Sequence, residues 1–365
     1  MKKLAIVTKN LNLNGISNVV LNYSKQLTNE YNITIFSGTP IDERNKKEAQ
    51  KNNINIIKTP NKSKKTILKY YSFLKKKLKG YDIVHVNGNS RAILGELAVS
   101  RINKNKINVA HCHTSNSDYA FFNKMTKSIF NKFYDVGLAC SDEAGKWMFG
   151  NNKFIVLPNG FETKKFIYNE NTRKRIRKEL NLNDELVIGH VGNFSEAKNY
   201  EFLIKIFETI CERKKNVKLL LVGKYKNNEK MVKKIKQSIN AKDIIFYGPT
   251  EKVYNVYNAM DVFVFPSKFE GLGITLVEAQ CNGLKCVISS NIPNQAIVNK
   301  KIVTKLKLSE NIDAWKDTIL KNNIQMNREE EYFNNINRIE KYDIEKDGII
   351  LKNIYGEALK NENNR

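Results

Sequence analysis

Short apolar runs alternate with helix-period segments along almost the whole chain, and this constrains the fold more than any other feature. The runs occupy residues 3–8, 32–36, 54–57, 82–86, 107–112 and 136–140, then 186–191, 218–222, 244–247, 261–265 and 285–289. They are of strand length, and such continuous runs suit strands buried on both faces of a parallel sheet. Helical patterns lie between them, as parallel crossovers require. At 365 residues the chain is long enough for two domains. The runs divide into two successive doubly wound α/β halves. Two such halves would leave a cleft between them, with ligands collecting at the carboxyl ends of the strands. No short-period repeat and no long Gly/Ser or Pro linker interrupts the pattern.

One strand end is chemically pointed. After the apolar run Asp261-Val-Phe-Val-Phe-Pro-Ser267 comes Phe269-Glu-Gly-Leu-Gly-Ile-Thr-Leu-Val-Glu278. It reads as strand, turn, helix. Gly271 and Gly273 let backbone N–H groups approach a ligand, and the first helical turn offers free donors and partial positive charge to an anion such as a diphosphate. Glu270 sits in the turn, and Glu278 lies about one turn into the helix, still able to reach hydroxyls. Two glutamates eight positions apart would, by themselves, read as solvated side chains. Their surroundings change that. Pro266-Ser-x-x-Glu-Gly-x-Gly-x-x-x-x-Glu-Ala279, followed by Cys281-Asn-Gly-Leu-Lys-Cys-Val-Ile-Ser-Ser290, resembles the donor-site signature of the retaining glycosyltransferase family 4, within it the exopolysaccharide and capsule enzymes of bacteria.

The resemblance covers nearly the whole chain. Lys3-Leu-Ala-Ile-Val-Thr8 fits a first strand, and Asn10-Leu-Asn-Leu-Asn-Gly-Ile-Ser-Asn18 fits the loop that follows. The family has two glycines there; this chain has Gly15, preceded by Asn14, a residue that tolerates left-handed geometry. Ile107-Asn-Val-Ala-His-Cys-His-Thr114 ends a strand in two histidines. Taken alone it hints at a metal, but no second cluster completes a tetrahedral set. The resemblance instead gives His113 a place beside the transferred sugar and the acceptor, with His111 in support. Leu186-Val-Ile-Gly-His-Val-Gly-Asn-Phe-Ser-Glu-Ala-Lys-Asn-Tyr200 matches a third family element. Lys198 falls on the lysine that neutralises the diphosphate as negative charge builds on the leaving nucleotide. Asn193 stands where the family has arginine; it offers hydrogen bonds but no charge. Lys153-Phe-Ile-Val-Leu-Pro-Asn-Gly-Phe-Glu162 resembles the passage between domains.

What the resemblance implies is a GT-B fold: two Rossmann-like, doubly wound parallel-sheet domains facing a central cleft. Residues 1–160 would form the acceptor domain and 161–341 the donor domain, with a tail helix in 342–365 packing back on the first. The enzyme would be a retaining hexosyltransferase or acetylhexosaminyltransferase using a nucleotide-diphosphate sugar, UDP-linked by expectation, and building surface polysaccharide. His113 and Glu270 would be catalytic. Gly15, Asn193, Lys198, Gly271, Leu272, Gly273, Ile274, Thr275 and Glu278 would bind the donor. The absence of an Asp-x-Asp motif agrees with a reaction needing no metal or other cofactor. The acceptor would be a glycan or lipid-linked saccharide. A non-catalytic partner subunit of the same fold, motivated by Asn193 and the single Gly15, and a nucleotide-sugar epimerase are the alternatives.

Lys+Arg number 62 against 37 Asp+Glu, a formal charge of +25. The lysines are spread along the chain and no nucleic-acid module appears, so nucleic acid is not the expected partner. Residues 61–79 are lysine-rich with a stripe of Ile67, Tyr71, Leu74 and Leu78. The stripe reads as core-facing, and its lysine face would suit an anionic bilayer. Residues 119–134 mix Phe121, Phe122, Phe130 and Phe133 with lysines and are a second candidate for membrane contact. The five cysteines lack framework spacing and fit a reducing compartment. With no signal peptide or membrane span in evidence, the expected place is the cytoplasm, peripherally at the inner face of the membrane.

Overall fold

The structure, a computed structural model, describes residues 1–12, 15–114, 126–225, 229–321 and 327–363. It divides into two compact units: unit 1 is Met1–Phe161 with Lys341–Arg365, and unit 2 is Glu162–Glu340. Unit 1 holds β1 Lys2–Thr8, β2 Tyr31–Ser37, β3 Asn55–Lys58, β4 Ile83–Gly88, β5 Ile107–Cys112, β6 Val136–Ala139 and β7 Ile155–Val156. Unit 2 holds β8 Leu186–Val191, β9 Val217–Val222, β10 Ile244–Gly248, β11 Val262–Phe265, β12 Lys285–Ser289 and β13 Val303–Leu306.

All pairings are parallel, in the orders β3-β2-β1-β4-β5-β6-β7 and β10-β9-β8-β11-β12-β13. In each unit the chain lays three strands outward, returns to the middle, and continues on the other side. Where it returns, the crossovers leave toward opposite faces and a crevice opens beyond the strand ends. That point lies between β1 and β4 in unit 1 and between β8 and β11 in unit 2.

The central strands are apolar because both faces are covered: β8 and β11 are buried throughout. Beneath them Ile188, Leu203, Phe207, Leu219, Val264, Val287 and Trp315 form one core. In unit 1, Leu4, Ile6, Ile33, Ile35 and Val109 pack with Leu351, Tyr355 and Leu359 from the helix Ile344–Asn363. The expectation omits β13. Val303-Thr-Lys-Leu306 is half-buried at the sheet edge, where an interspersed lysine keeps a strand from recruiting another, so the apolar signal is diluted.

The lysine-rich helix Ile67–Lys77 buries Tyr70, Leu74 and the following Leu78. Tyr70 thus joins the expected stripe, whose Tyr71 is half-buried with its ring against Gly95. The Tyr70 hydroxyl donates to buried Glu96 Oε1 at 2.9 Å, which also accepts from Lys62 Nζ at 2.6 Å. The opposite side is wet, and Leu68 is 83% exposed among the lysines. In the second basic segment, residues 119–125 lie outside the described ones; Phe130 is fully buried against Tyr134 and Phe149. Among the described residues no helix is long and apolar enough to cross a membrane.

One buried acid in unit 1 sets a pH dependence. Tyr23 donates its hydroxyl proton to the Pro158 carbonyl and lies 3.2 Å from Asp347 Oδ2. A hydroxyl has one proton, so a protonated Asp347 completes the set by donating to the tyrosine oxygen. Burial, reinforced by Asp343, pushes the Asp347 carboxyl up to about 8. A folded-state value above the unfolded value of about 4 stabilises the fold fully below pH ~4, and that contribution is lost as pH rises through about 8. Asp347→Asn, which stays neutral, should therefore gain in melting temperature over the parent chain as pH rises from 5 to 9. A difference that stays flat across that range would refute the assignment.

Candidate active site

The loops leaving β8 and β11 are stitched together. Asn199 Nδ2 donates to the Pro266 carbonyl at 3.1 Å, and Lys268 N–H to the Ala197 carbonyl at 2.7 Å. Asn199 is left-handed and starts the helix Tyr200–Arg213, whose Tyr200 hydroxyl donates back to the Gly192 carbonyl at 2.7 Å. Lys198 is held on this frame. Its methylenes fold over Gly192, its ammonium lies 4.7 Å from the Phe265 ring centre, and Nζ is 2.7 Å from Glu270 Oε1. Both partners are mostly buried, at 16% and 13% exposure, so the pair is sheltered from screening by solvent. Two residues expected on separate motifs therefore meet.

Gly273 begins the helix Ile274–Cys281 at φ +86°, a conformation that strains any residue with a Cβ. Leu272 is buried before it; Ile274 and Thr275 are half-buried after it, and Thr275 Oγ1 is enclosed without a hydrogen-bond partner. Glu278 keeps partial exposure. Burial raises its carboxyl to about 7, against the opposing pull of a hydrogen bond from Tyr257 and the charge of Lys198. The Tyr257 hydroxyl lies 2.8 Å from Glu278 Oε2 and 3.1 Å from the Thr275 carbonyl.

Tyr257 is itself anchored by Arg328, a buried guanidinium. Arg328 donates to the carbonyls of Tyr257, Met260 and Asn282 at 3.1, 2.9 and 3.1 Å and to Asn282 Oδ1, and it lies 4.3 Å from the Tyr168 ring centre. Burial lowers its pKa to about 9. Sequence reasoning singled out neither Tyr257 nor Arg328. Their partners lie far along the chain, so spacing gives no signal for them.

Asn193 continues from β8, and its Oδ1 accepts the Lys224 backbone N–H at 3.2 Å. The two strand ends touch so closely that a Cβ on Gly223, at φ +145°, would lie 2.0 Å from the Gly192 carbonyl oxygen. Position 193 is thus fixed with its amide nitrogen the group left to donate.

In unit 1, Gly15 begins the helix Gly15–Leu27 with open space where a Cβ would be; Asn14 lies outside the described residues. His113 follows β5, with Nδ1 3.0 Å from Asn159 Oδ1 and Nε2 2.8 Å from Asn87 Oδ1. Burial lowers its pKa to about 4, so the ring is neutral near pH 7. A neutral ring has one N–H, so one of the two amides must turn its nitrogen toward it. His111 packs against His113 with the rings tilted by 38° and 4.1 Å between ring centres, and its Nδ1 is 3.1 Å from His85 Nε2. His85 Nδ1 reaches the Tyr355 hydroxyl at 2.5 Å. Cys112, between the histidines, directs its Sγ to the Thr114 carbonyl at 3.2 Å.

Two family models match the chain: Glycosyltransferase Family 4 over residues 13–165 and Glycosyl transferases group 1 over residues 172–344. EpsF of Bacillus subtilis (strain 168), which carries only the general description of a glycosyltransferase, is 31% identical over 62% of this chain and 61% of its own length. This match therefore spans less than two thirds of that relative. An Escherichia coli protein is 26% identical over 74% of this chain and 72% of its own. It is named UDP-Gal:alpha-D-GlcNAc-diphosphoundecaprenol alpha-1,3-galactosyltransferase. Among solved structures, HepE of Anabaena in complex with UDP and glucose superposes with a TM-score of 0.82 at 16% identity, covering 98% of this chain and 100% of that one. At that identity the likeness speaks for the fold alone.

Proposed function

The chain belongs to the family 4 glycosyltransferases of GT-B fold, and from that premise we propose that it transfers a sugar from a nucleotide-diphosphate sugar to a saccharide acceptor in the building of a surface polysaccharide. The donor we infer is a UDP-sugar and the acceptor a lipid-linked saccharide. The name of the Escherichia coli relative supports both.

The observation that carries the proposal is the pairing of Lys198 with Glu270 beside the Gly273 turn and Glu278, at the strand return of unit 2. An ammonium has three donors, so Lys198 can hold Glu270 and a phosphate together. Amides of Gly271–Thr275 would take further diphosphate oxygens, with the Asn193 amide nitrogen adding a neutral donor. Glu278 would accept from the ribose and Glu270 from the sugar. His113, neutral in unit 1, would offer hydrogen bonds rather than charge to sugar or acceptor.

In the step we propose, the bond from the anomeric carbon to the β-phosphate oxygen breaks. The acceptor hydroxyl adds on the same face, with retention, and its proton passes to the departing phosphate. Lys198 and the amides stabilise that phosphate as its charge grows. We place the enzyme on the cytoplasmic face of a membrane, with the lysine face of the helix Ile67–Lys77 and exposed Leu68 meeting anionic lipid.

A panel of nucleotide-sugars in thermal-shift and transfer assays tests the proposal. One UDP-sugar should raise the melting temperature, less so in Glu270→Ala and Glu278→Ala, and should be consumed only when acceptor is present. Binding without turnover would favour the non-catalytic subunit that Asn193 motivates. No shift with any nucleotide would sink the donor site.

A further inference from the structure

We propose that Tyr257 is a positioning residue of the donor site, whose hydroxyl fixes the carboxylate of Glu278 so that its other oxygen faces the ribose. The inference rests on the donor reading above and goes beyond it to a residue that touches no substrate.

The Tyr257 hydroxyl has one proton and two acceptors within reach, Glu278 Oε2 at 2.8 Å and the Thr275 carbonyl at 3.1 Å. A carboxylate is the stronger acceptor, so the proton goes to Glu278. The tyrosine cannot swing away. It is fully buried, its ring lies 5.8 Å from that of Phe166 and 5.9 Å from that of Phe263, and its carbonyl is held by Arg328. One oxygen of Glu278 is thereby committed inward, and the other, on a partly exposed residue, is free for ribose hydroxyls. Without the phenol both oxygens are equivalent, and the carboxyl turns freely about its last torsion.

The same hydrogen bond sets the pH at which Glu278 is ready. A hydroxyl accepted by a carboxylate favours the ionised form, and Lys198 does the same from the β8 loop. The remaining titratable groups on neighbouring elements do not compete. Cys281 on its own helix and Cys286 on β12 are thiols that burial pushes up, and Arg328 is engaged with backbone carbonyls. Removing the Tyr257 hydroxyl should raise the Glu278 pKa above about 7.

The experiment uses the full chain, with UDP and its 2′,3′-dideoxy analogue as probes, measured by calorimetry from pH 5.5 to 8.5. In the parent chain UDP should bind more tightly than the analogue. In Tyr257→Phe, UDP affinity should fall about tenfold at pH 7, the loss of one hydrogen bond to a charged group. The gap between UDP and the analogue should shrink, and the acid limb of the binding profile should move to higher pH. With the UDP-sugar as donor, KM should rise far more than kcat falls. Glu278→Gln, which keeps an oxygen for Tyr257, should retain only the acid limb of the UDP terminal phosphate, whose second pKa is about 6, and it serves if Tyr257→Phe does not fold.

An unchanged pH profile and an unchanged UDP-to-analogue gap in Tyr257→Phe would overturn the inference while leaving the donor site standing. So would an acid limb in Glu278→Gln as large as the parent's and at the same pH. Equal binding of both probes by the parent chain would refute the ribose role of Glu278. No UDP binding at all would remove the donor reading and this inference together.

Discussion

Lys198→Ala is expected to lower kcat/KM by about a thousandfold, roughly 4 kcal/mol of barrier, with the fold intact. Single donors aimed at developing negative charge commonly contribute that much when they act away from water. Lys198 sits in such a place: its side chain is 16% exposed, with the ammonium over the Phe265 ring and braced by Glu270 at 2.7 Å. Family arginine is absent at position 193, and the amide there brings no charge, so the burden on the lysine is greater. Lys198→Arg should recover part of the loss, because the charge returns in a different shape. Removing the lysine also leaves Glu270 without its cation, so a modest stability cost is expected and should be relieved in Lys198→Ala/Glu270→Gln. Steady-state kinetics with a circular-dichroism melt separate the two effects. A fall in kcat/KM of less than tenfold would mean that the diphosphate is held elsewhere.

Arg328→Ala should destabilise unit 2 strongly, by about 3 kcal/mol. Three backbone carbonyls, of Tyr257, Met260 and Asn282, accept from this one guanidinium. Those of Tyr257 and Met260 keep a second donor in the Met260 N–H and Arg173 Nη1. The loss therefore falls on the Asn282 carbonyl and Oδ1, and a buried acceptor left without a donor costs about 1–3 kcal/mol. For a domain of this size that corresponds to a melting temperature lower by about 6–12 °C. Lysine should rescue little, since one ammonium cannot span acceptors that a planar fork reaches together. Thermal unfolding followed by far-UV circular dichroism measures this, and a melting temperature within 2 °C of the parent would refute it. Because Arg328 also holds the main chain of Tyr257, any Arg328→Lys protein that does fold should bind UDP more weakly than its stability alone predicts.

The contrast between these two residues shows what a sequence exposes. Lys198 was legible because local order places it: a strand, a glycine, a short turn and a helix start within fifteen positions. Glu270, Gly273 and Glu278 were legible for the same reason, as were the buried strands, whose apolar runs need no partner to be recognised. Tyr257 and Arg328 were not. Each acts on a residue that only the tertiary fold brings near, and a tyrosine in Val253–Tyr257 or an arginine opening Arg328–Asn334 has nothing local to distinguish it. β13 was hidden by its edge lysine, and Tyr70 went unnoticed because the carboxylate that takes its hydroxyl, Glu96, lies on another helix. Nor does spacing reveal that His85 Nδ1 meets Tyr355 across 270 positions of chain.

The last of these has a consequence for how the protein is made. Unit 2 is one uninterrupted stretch, Glu162–Glu340, whereas unit 1 needs residues from both sides of it. A ribosome therefore delivers every residue of unit 2 before the helix Ile344–Asn363 that supplies Leu351, Tyr355 and Leu359 to the unit 1 core. Emerging in that order, the later unit can finish folding first. The earlier one waits with the docking face for that helix bare and His85 lacking its tyrosine. A stop codon just after residue 340 would leave unit 2 whole and unit 1 permanently unfinished, so its damage would appear far along the chain from the sheet that suffers it.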